Sequence, residues 1–296
     1  MFKIHFLNVG DGDCTIVELP DNEIMIVDLC NARSNLYDAN PKFENPIEYL
    51  RRIYFSSSIF RYVQTHPEMD HMDGIADLSN KFTFTNFWDT SNTRQKPPSF
   101  SAQFREKDWD KYQELRRSNS AKYRLRSRTS IGVNGGSFPY SIYVISPSEQ
   151  LVEKANSEEN WNLLSYVILV EYEGFKLLLG GDASDTAWED IYEYAKNDEI
   201  ARKLLRNVTI FKASHHGRNS SYCGIEMLNL MNPSTIVISK GSVPGEESAY
   251  GKYYNWAGGA DNMYLTSQGT IVADYYDIPN KMYSVNQKKM RVKKVG

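Results

Sequence analysis

The sequence predicts an α/β protein, and three observations lead to this prediction. Short apolar runs, typical of buried strands, alternate along the chain with stretches whose apolar residues recur at helical spacing. Polar or glycine-containing segments follow several of the apolar runs directly, as loops do at the ends of strands. The length of 296 residues is enough to bury a sizeable core in one large domain or two.

The composition is that of a globular protein, with 41% hydrophobic and 13% aromatic residues. The formal net charge of −3 gives no overall attraction to nucleic acid, so a polyanion would need a local basic patch. No apolar run is long enough to predict a membrane span, and the N-terminus lacks the pattern of a signal peptide. Three scattered cysteines do not form a disulfide framework. We therefore expect a cytoplasmic protein without a membrane partner.

The elements of the first half follow from these patterns in order. Strands are predicted at residues 2–9, 15–19, 23–28, 59–63 and 82–88. Helices are predicted at residues 46–55, where Ile47, Leu50 and Ile53 share one face, and at residues 75–78.

The second half repeats the alternation. Strands are predicted at residues 141–146, 163–170, 176–179, 208–212 and 235–239. Helices are predicted at residues 149–156 and 222–231, and one long or two shorter helices at residues 184–207. The basic segment 288–294 is expected to be a solvated tail.

A cluster of potential metal ligands follows the strand at residues 59–63. Within six residues the chain carries His66, Glu68, Asp70 and His71. Pro67 disfavours a helix at this point, so we expect a loop whose side chains can turn towards one point. Imidazole and carboxylate groups are the ligands of zinc and also suit manganese or iron. Because the chain has only five histidines, a chance solvated turn explains this crowding poorly.

The pattern His66-x-Glu68-x-Asp70-His71 resembles the His-x-His-x-Asp-His signature of the metallo-β-lactamase superfamily, with Glu68 in place of the second histidine. Three more segments resemble the family in the same order: Val9–Asp13, Gly180-Gly181-Asp182 and Ser214–Gly217. The first of them resembles one branch, the hydrolase domain of bacterial competence DNA-uptake channels and its free-standing relatives. The resemblance implies a four-layer αββα sandwich of two mixed sheets with flanking helices, as a single domain over residues 1–296.

The resemblance also implies a metal centre with two divalent ions, zinc or manganese. The implied metal ligands are His66, Glu68, Asp70, His71, Asp182 and His215. Asp182 would bridge the two metals or, alternatively, cap the helix that follows. Asp70, His71 and His216 are the implied catalytic residues, with His216 acting as a second ligand or as a substrate contact. The carboxylate of Glu68 in place of an imidazole would shift the preference from zinc towards manganese.

Two features of this centre stay open in the sequence. Asp13 and Asp28 lie at strand ends, where they either hold a ligand histidine by its free N–H or cap a turn. No histidine follows His216, so the second site is either incomplete or completed by Asp261, by water or by His216 itself.

Residues 89–138 depart from the family core and are predicted to be an insertion or lid over the site. The spacing of residues 104–117 is helical, and a run with a basic residue at every second position follows it. This run forms either a face that holds phosphates or a solvated edge strand. The candidate substrate contacts are Lys122, Arg124, Arg126, Arg218 and Ser220.

These features predict a metal-dependent hydrolase that uses a metal-bound hydroxide. A phosphodiesterase or nuclease acting on nucleic acid is the favoured function. The alternatives are a hydrolase of another small ester, lactone or amide, and a non-catalytic regulatory module with a degenerate metal site. A free-standing chain of this type could also act with a partner protein encoded nearby, and the sequence leaves the oligomeric state open.

Overall fold

The computed structural model describes residues 2–118, 122–125, 128, 139–241, 247–287 and 290–295. Its strands there are β1 (Phe2–Phe6), β2 (Thr15–Glu18), β3 (Ile24–Val27), β4 (Ser58–Val63), β5 (Thr83–Asp89), β6 (Lys122–Leu125), β7 (Ser141–Ser146), β8 (Val167–Tyr172), β9 (Phe175–Leu179), β10 (Ile210–Lys212), β11 (Thr235–Ile238), β12 (Met263–Leu265), β13 (Ile271–Asp277), β14 (Met282–Asn286) and β15 (Met290–Lys294). Its α-helices are α1 (Pro46–Ile53), α2 (Ile75–Ser79), α3 (Glu106–Arg117), α4 (Glu149–Glu158), α5 (Asp185–Asn197), α6 (Glu199–Leu205), α7 (Ile225–Met231) and α8 (Tyr250–Trp256).

Two mixed sheets contain all of these strands of the described chain. The first has the order β15-β14-β13-β1-β2-β3-β4-β5-β6, and the second has the order β12-β11-β10-β9-β8-β7. In the first sheet, β3 to β6 are parallel, and in the second sheet β9 to β12 are parallel. The carboxyl ends of parallel strands share one edge of a sheet, and loops at that edge are the usual place for a binding site in open α/β sheets.

Alternating side chains of the strands divide the apolar residues among three cores. Ile168 and Val170 of β8 face the first sheet, whereas Val167 and Leu169 of the same strand face the helices. Helices α5 to α8 cover this outer face of the second sheet. Helices α1 to α3 cover the outer face of the first sheet. The layers therefore follow the order αββα, and the predicted fold class is confirmed.

Two expectations for individual segments are refined by the structure. The stretch at 184–207 forms two helices, because Asp198 ends α5 and caps α6 by accepting from the backbone N–H of Ala201 at 2.8 Å. The prediction of a solvated tail is wrong for Met290–Lys294, because this segment pairs with β14 as an antiparallel strand. Tail residues 288 and 289 lie outside the described residues.

The predicted insertion at 89–138 is described in part. Helix α3 lies within it and packs on α2 and β5. Strand β6 adds to the parallel edge next to β5, pairing Lys122 with Asn86 and Arg124 with Trp88. Arg126 and residues 129–138 lie outside the described residues. Among the residues that the structure describes, we find no helix both long enough and apolar enough to cross a membrane.

Candidate metal centre

The loop after β4 carries two fully buried histidines into the gap between the sheets. His66 and His71 have no exposed surface, and their rings lie 4.2 Å apart between centroids. The side chain of Gln64 braces the loop, because its amide donates to the carbonyls of His66 at 2.8 Å and His71 at 3.1 Å. A 3₁₀ turn over Met69–His71 places Asp70 beside His71. The loop therefore holds its side chains in fixed positions.

Asp182 enters the same space from the second sheet, after β9. Two glycines precede it, and both positions are crowded. A Cβ atom on Gly180 would lie 2.4 Å from the hydroxyl oxygen of Ser214, and one on Gly181 would lie 2.3 Å from that of Ser165. Gly181 also has φ of +49°, which residues with a side chain adopt rarely. The two glycines thus allow the end of β9 to approach the segments around Ser165 and Ser214 closely.

His215 and His216 follow β10, the neighbour of β9 in the sheet. Both have positive φ, at +49° and +55°, an uncommon backbone conformation for residues other than glycine. Such conformations concentrate at functional sites, where the surrounding structure imposes them. The two rings are 5.9 Å apart and inclined by 68°, so the adjacent histidines present their nitrogen atoms in different directions.

These side chains converge on one oxygen atom of Asp182. Its Oδ2 lies 3.2 Å from Nε2 of His71, 3.7 Å from that of His215, 3.9 Å from that of His66 and 4.0 Å from that of His216. Asp70 joins them through its Oδ2, which lies 3.9 Å from Nε2 of His71 and 3.8 Å from that of His216. Ligand atoms bound to one zinc ion at about 2.0–2.1 Å are spaced about 3.3 Å apart in a tetrahedron. The observed spacing is close to that of a cation site.

Unsatisfied polar atoms test whether these residues fit a cation. Oδ1 of Asp182 and the Nε2 atoms of His66, His71 and His216 are buried without a hydrogen-bond partner. Most buried polar atoms in folded proteins have a partner, so four unpaired atoms in one cluster need an explanation. A divalent cation supplies it, because imidazole nitrogen and carboxylate oxygen are its usual ligands. The residues present therefore fit a metal.

The opposite nitrogen of each imidazole is held by a neighbouring group. Nδ1 of His71 donates to Oδ2 of Asp28 at 2.8 Å, which is the contact expected of a supporting carboxylate. Nδ1 of His216 donates to the carbonyl of Ser239 at 3.1 Å. The hydroxyls of Thr65 and Ser221 accept from Nδ1 of His66 and His215, at 3.0 and 3.1 Å. Each contact fixes a tautomer whose Nε2 is free to bind a cation.

Asp28 also organises the start of the ligand loop. It accepts from the backbone N–H of Thr65 at 2.8 Å and from the Thr65 hydroxyl at 2.6 Å. Asp13 lies on the other side, where it accepts from the buried ammonium of Lys212, and its Oδ1 lies 4.0 Å from Nδ1 of His216. Asp13 thus lies beside the histidine pair. It forms an ion pair with the last residue of β10, the strand that precedes this pair.

Burial and mutual charge determine the protonation of the cluster. Burial and the charge of His71 lower the pKa of His66 to about 3, which keeps its ring neutral and able to bind metal. Burial alone would lower the pKa of His71, but the carboxylates of Asp182, Asp28 and Asp70 outweigh it and raise that pKa. Burial likewise raises the pKa of Asp182, and the charges of His71 and His216 outweigh it and lower that pKa.

The structure places Glu68 away from this cluster. Its carboxylate lies 2.6 Å from Nη1 of Arg94, and a third of its side chain is exposed, at 33%. Among the described residues, the groups of donor atoms close enough to share a cation do not include it. The prediction that Glu68 is a ligand is therefore not supported, because Arg94 provides the carboxylate with a partner of opposite charge outside the centre.

Asp261, one of the alternatives for the last ligand of the second metal site, lies away from the centre. Asp261 is exposed in a turn that precedes β12, so it lies at the amino end of the parallel strands. The cluster lies at their carboxyl ends, at the opposite edge. His216 instead shares a compact group with Asp70 and His71, which is where that site needs a further ligand.

Two of the predicted substrate contacts lie at the margin of the metal centre, and the side chains of the other three lie outside the described residues. Arg218 and Ser220 are exposed in the segment after the histidine pair. Burial lowers the pKa of His215, and the charges of His216 and Arg218 lower it further. Strand β6 carries Lys122 and Arg124 two strands away from β4, a distance of roughly 10 Å. The side chains of Lys122, Arg124 and Arg126 lie outside the described residues.

A cavity of about 260 Å³ opens beside Asp70. Asp11, Asp38 and Asp73 contribute carboxylates to its walls, and Arg33 contributes a guanidinium. Arg33 pairs with Asp73 and donates to the carbonyl of Gln103, a residue of the insertion. The insertion therefore forms part of the wall of a space next to the metal cluster.

Sequence reasoning missed several residues that organise the centre: Thr65, Arg94, Lys212, Ser221 and Ser239. Ser221 directly follows Ser220, one of the predicted substrate contacts, and its hydroxyl contacts His215. Thr65 directly precedes His66, and this adjacency is the only signal in the sequence for its role. Nothing in the sequence links Arg94 to Glu68, because the two are separated by 25 intervening residues and a complete strand.

No protein-family profile and no curated protein matches the chain. Solved structures do. Igni18, a novel metallo hydrolase from the hyperthermophilic archaeon Ignicoccus hospitalis, is similar with a TM-score of 0.50 and 12% identity, over 93% of this chain and 100% of that chain. The metallo-beta-lactamase fold protein YhfI from Bacillus subtilis gives 0.48 and 9%, over 90% and 96%. CmlA, a diiron β-hydroxylase from Streptomyces venezuelae, gives 0.48 and 11%, over 80% and 44%.

At 12% identity, the likeness to Igni18 shows a shared fold and leaves the substrate open. The chain's own architecture agrees with it: two mixed sheets between helices, with histidines and aspartates gathered at the carboxyl ends of β4, β9 and β10. The chain has the metallo-β-lactamase fold.

Proposed function

We propose that this protein is a metal-dependent hydrolase. One observation carries the proposal: four histidine Nε2 atoms surround a single oxygen of Asp182 at 3.2–4.0 Å. A folded protein rarely buries so many imidazoles around one carboxylate without a cation, because burying unpaired polar atoms costs free energy. Igni18, the structure with the same fold, is itself described as a metallo hydrolase.

The ligand set favours nitrogen-binding metals. With Glu68 paired to Arg94, the expected shift towards manganese loses its basis, and four imidazoles with two carboxylates suit zinc or iron. When bound, such a cation acts as a Lewis acid and lowers the pKa of water from 15.7 to about 7. The protein's part is to hold the ligands in place: Asp28 orients His71, and the carbonyl of Ser239 orients His216.

A phosphodiester is the substrate class that we favour. The resemblance to a DNA-associated branch supports it, and so does the exposed guanidinium of Arg218, which follows His215 by three residues. Nucleic acid would then be the partner, and the basic strand β6 at the parallel edge would extend the contact. Arginine forms paired hydrogen bonds with phosphate, which suits the orientation of a charged diester.

The test compares metal-loaded protein on a panel of substrates. The wild type, loaded separately with zinc, manganese and iron, is assayed on bis-p-nitrophenyl phosphate, single-stranded DNA, a lactone and a carboxylic ester. We expect diester hydrolysis that Asp70→Ala and His71→Ala abolish and that Glu199→Gln, at an exposed carboxylate of α6 away from the cluster, retains. Metal-loaded protein that cleaves none of the four would favour the non-catalytic module instead.

A hydrolase of a small ester, lactone or amide is the second candidate, and the cavity beside Asp70 favours it. The cavity, about 260 Å³, is small, and its carboxylates repel a polyanion. Hydrolysis of the lactone or ester, with the diester and the DNA left intact, would support this candidate over the first. A nuclease would instead lose activity steeply with added salt, because phosphate contacts depend on ionic strength.

A further inference from the structure

The ion pair between Glu68 and Arg94 connects the ligand loop to the insertion. Nη1 of Arg94 lies 2.6 Å from Oε1 of Glu68 and also donates to the carbonyl of Pro67 at 2.6 Å. Both acceptors belong to the loop that carries His66 and Asp70. Arg94 therefore holds the centre of this loop through one ion pair and one charge-assisted hydrogen bond.

Arg94 is itself held in place. Its side chain is only 15% exposed, and its guanidinium carbon lies 6.0 Å from the ring centre of Trp109 and 5.9 Å from that of Trp161. Contacts of a guanidinium with indole rings at such distances are favourable. Trp109 is a residue of α3, and Trp161 lies in the turn before β8. The position of Arg94 is thus fixed by parts of the fold outside the ligand loop.

The potential ligands of the metal centre form two sets that differ in their number of protein ligands. One set of residues, which we name the closed group, consists of Asp70, His71, His216 and Asp182. Asp70, His71 and His216 have donor atoms that all lie within 4.8 Å of one another, and Asp182 lies 3.2 Å from His71 and 4.0 Å from His216. The other set, the open group, consists of His66, His215 and Asp182. Both histidine nitrogen atoms lie 3.7–3.9 Å from Asp182, but the three donor atoms do not form an equally compact group in the described structure. The residue beside His66 that could complete it is Glu68, whose N–H donates to the carbonyl of His66 at 3.0 Å.

We propose that Arg94 is a positioning residue that withholds Glu68 from the metal centre, so that this chain has one closed and one open cation site. The proposal rests on the proposed metal binding and goes beyond it. A tetrahedral site with three protein ligands keeps a fourth position for water or substrate, whereas four protein ligands fill the shell. The open group should therefore bind its cation more weakly and expose it to the substrate.

The experiment measures zinc binding, by equilibrium dialysis and metal analysis, in the wild type and four variants. Glu68→Gln keeps the size of the side chain and its contact with Arg94 but removes a ligand charge. Arg94→Met releases Glu68, and the double variant Arg94→Met/Glu68→Gln removes both partners. Lys111→Met removes a cation of the same insertion that pairs only with Glu114 in the described structure, and serves as the matched control.

We expect one tight and one weaker zinc in the wild type, both unchanged within about twofold in Glu68→Gln and Lys111→Met. Arg94→Met should tighten the weaker zinc by about tenfold or more, because the freed carboxylate becomes a fourth ligand. The double variant should lose this gain, which assigns it to Glu68 through the double-mutant cycle. Thermal unfolding of each variant checks that the fold is kept.

The outcomes separate this inference from the proposed function. Loss of the weaker zinc in Glu68→Gln alone would make Glu68 a ligand in the wild type, which overturns the inference and leaves metal binding intact. An unchanged zinc affinity in folded Arg94→Met would overturn it as well, and Arg94→Gln repeats this test with a polar replacement. A wild type that binds no zinc, manganese or iron would overturn both proposals.

Discussion

The closed and open groups share Asp182, yet their supports differ. In the closed group, His71 is held by the buried carboxylate of Asp28 at 2.8 Å. In the open group, His66 and His215 donate to hydroxyl groups at 3.0 and 3.1 Å. A hydrogen bond to a charged acceptor is about twice as strong as one between neutral groups. The comparison predicts that the side of His71 would retain a cation more firmly than the side of His66 and His215.

The largest effect is expected from Asp182→Ala, which removes the one ligand that both groups use. Zinc affinity should fall at both sites by more than about 100-fold, beyond the loss expected for a supporting residue. Competition with a chromogenic chelator measures both constants. A variant that loses only one zinc would show that the two groups do not share this carboxylate.

Asp28→Asn tests the support of the closed group. The amide cannot provide the charge that holds His71, so we expect the affinity of the tight zinc to fall by about 10–100-fold. The weaker zinc should change less, since Asp28 reaches His66 only through Thr65. Glu199→Gln, at an exposed carboxylate of α6, is the control. Equal losses at both sites would remove the distinction between the groups.

Ser221→Ala tests the support of the open group. Removing the hydroxyl frees the ring of His215, and we expect only the weaker zinc to be affected, by about the low end of the 10–100-fold range. His215 has 15% of its side chain exposed, so water can replace the lost hydrogen bond and limit the effect. A larger loss of the tight zinc would contradict the assignment of His215 to the open group.

Asp77→Asn is expected to have the smallest effect on zinc binding. Asp77 pairs with Arg105 at 2.8 Å and Lys107 at 2.7 Å and thereby joins α2 to the insertion. Its loss should lower the free energy of unfolding by about 1–3 kcal/mol, since these hydrogen bonds are to charged groups. Zinc at the closed group should be unaffected. Denaturant unfolding with parallel zinc titration separates the two effects.

Asp77 also makes the free energy of unfolding depend on pH. Burial raises the pKa of Asp77, but its bonds with Lys107 and Arg105 outweigh burial and lower that pKa below its usual value. Because the folded-state pKa is lowered, the stabilisation is present at neutral pH and is lost as the pH falls through the acid range. The difference in unfolding free energy between wild type and Asp77→Asn should therefore shrink below about pH 4.

The sequence by itself determined those features that depend on neighbouring residues. The αββα fold is implied by the resemblance of four ordered motifs to a known family, and the loop with His66, Asp70 and His71 is predicted because its ligands lie within six residues of one another after a strand. Local backbone geometry and side-chain chemistry suffice for such a loop, since the residues share one turn of chain.

Only the tertiary structure decided how distant residues divide the centre between them. The order of β9 and β10 brings Asp182 beside the histidine pair, and the positive φ angles of His215 and His216 send the two rings to different groups. Glu68 has the position of a ligand in the motif, but Arg94 binds it from the insertion. The physical reason is that a carboxylate takes the partner that the packed fold brings within reach, and sequence spacing does not give that distance.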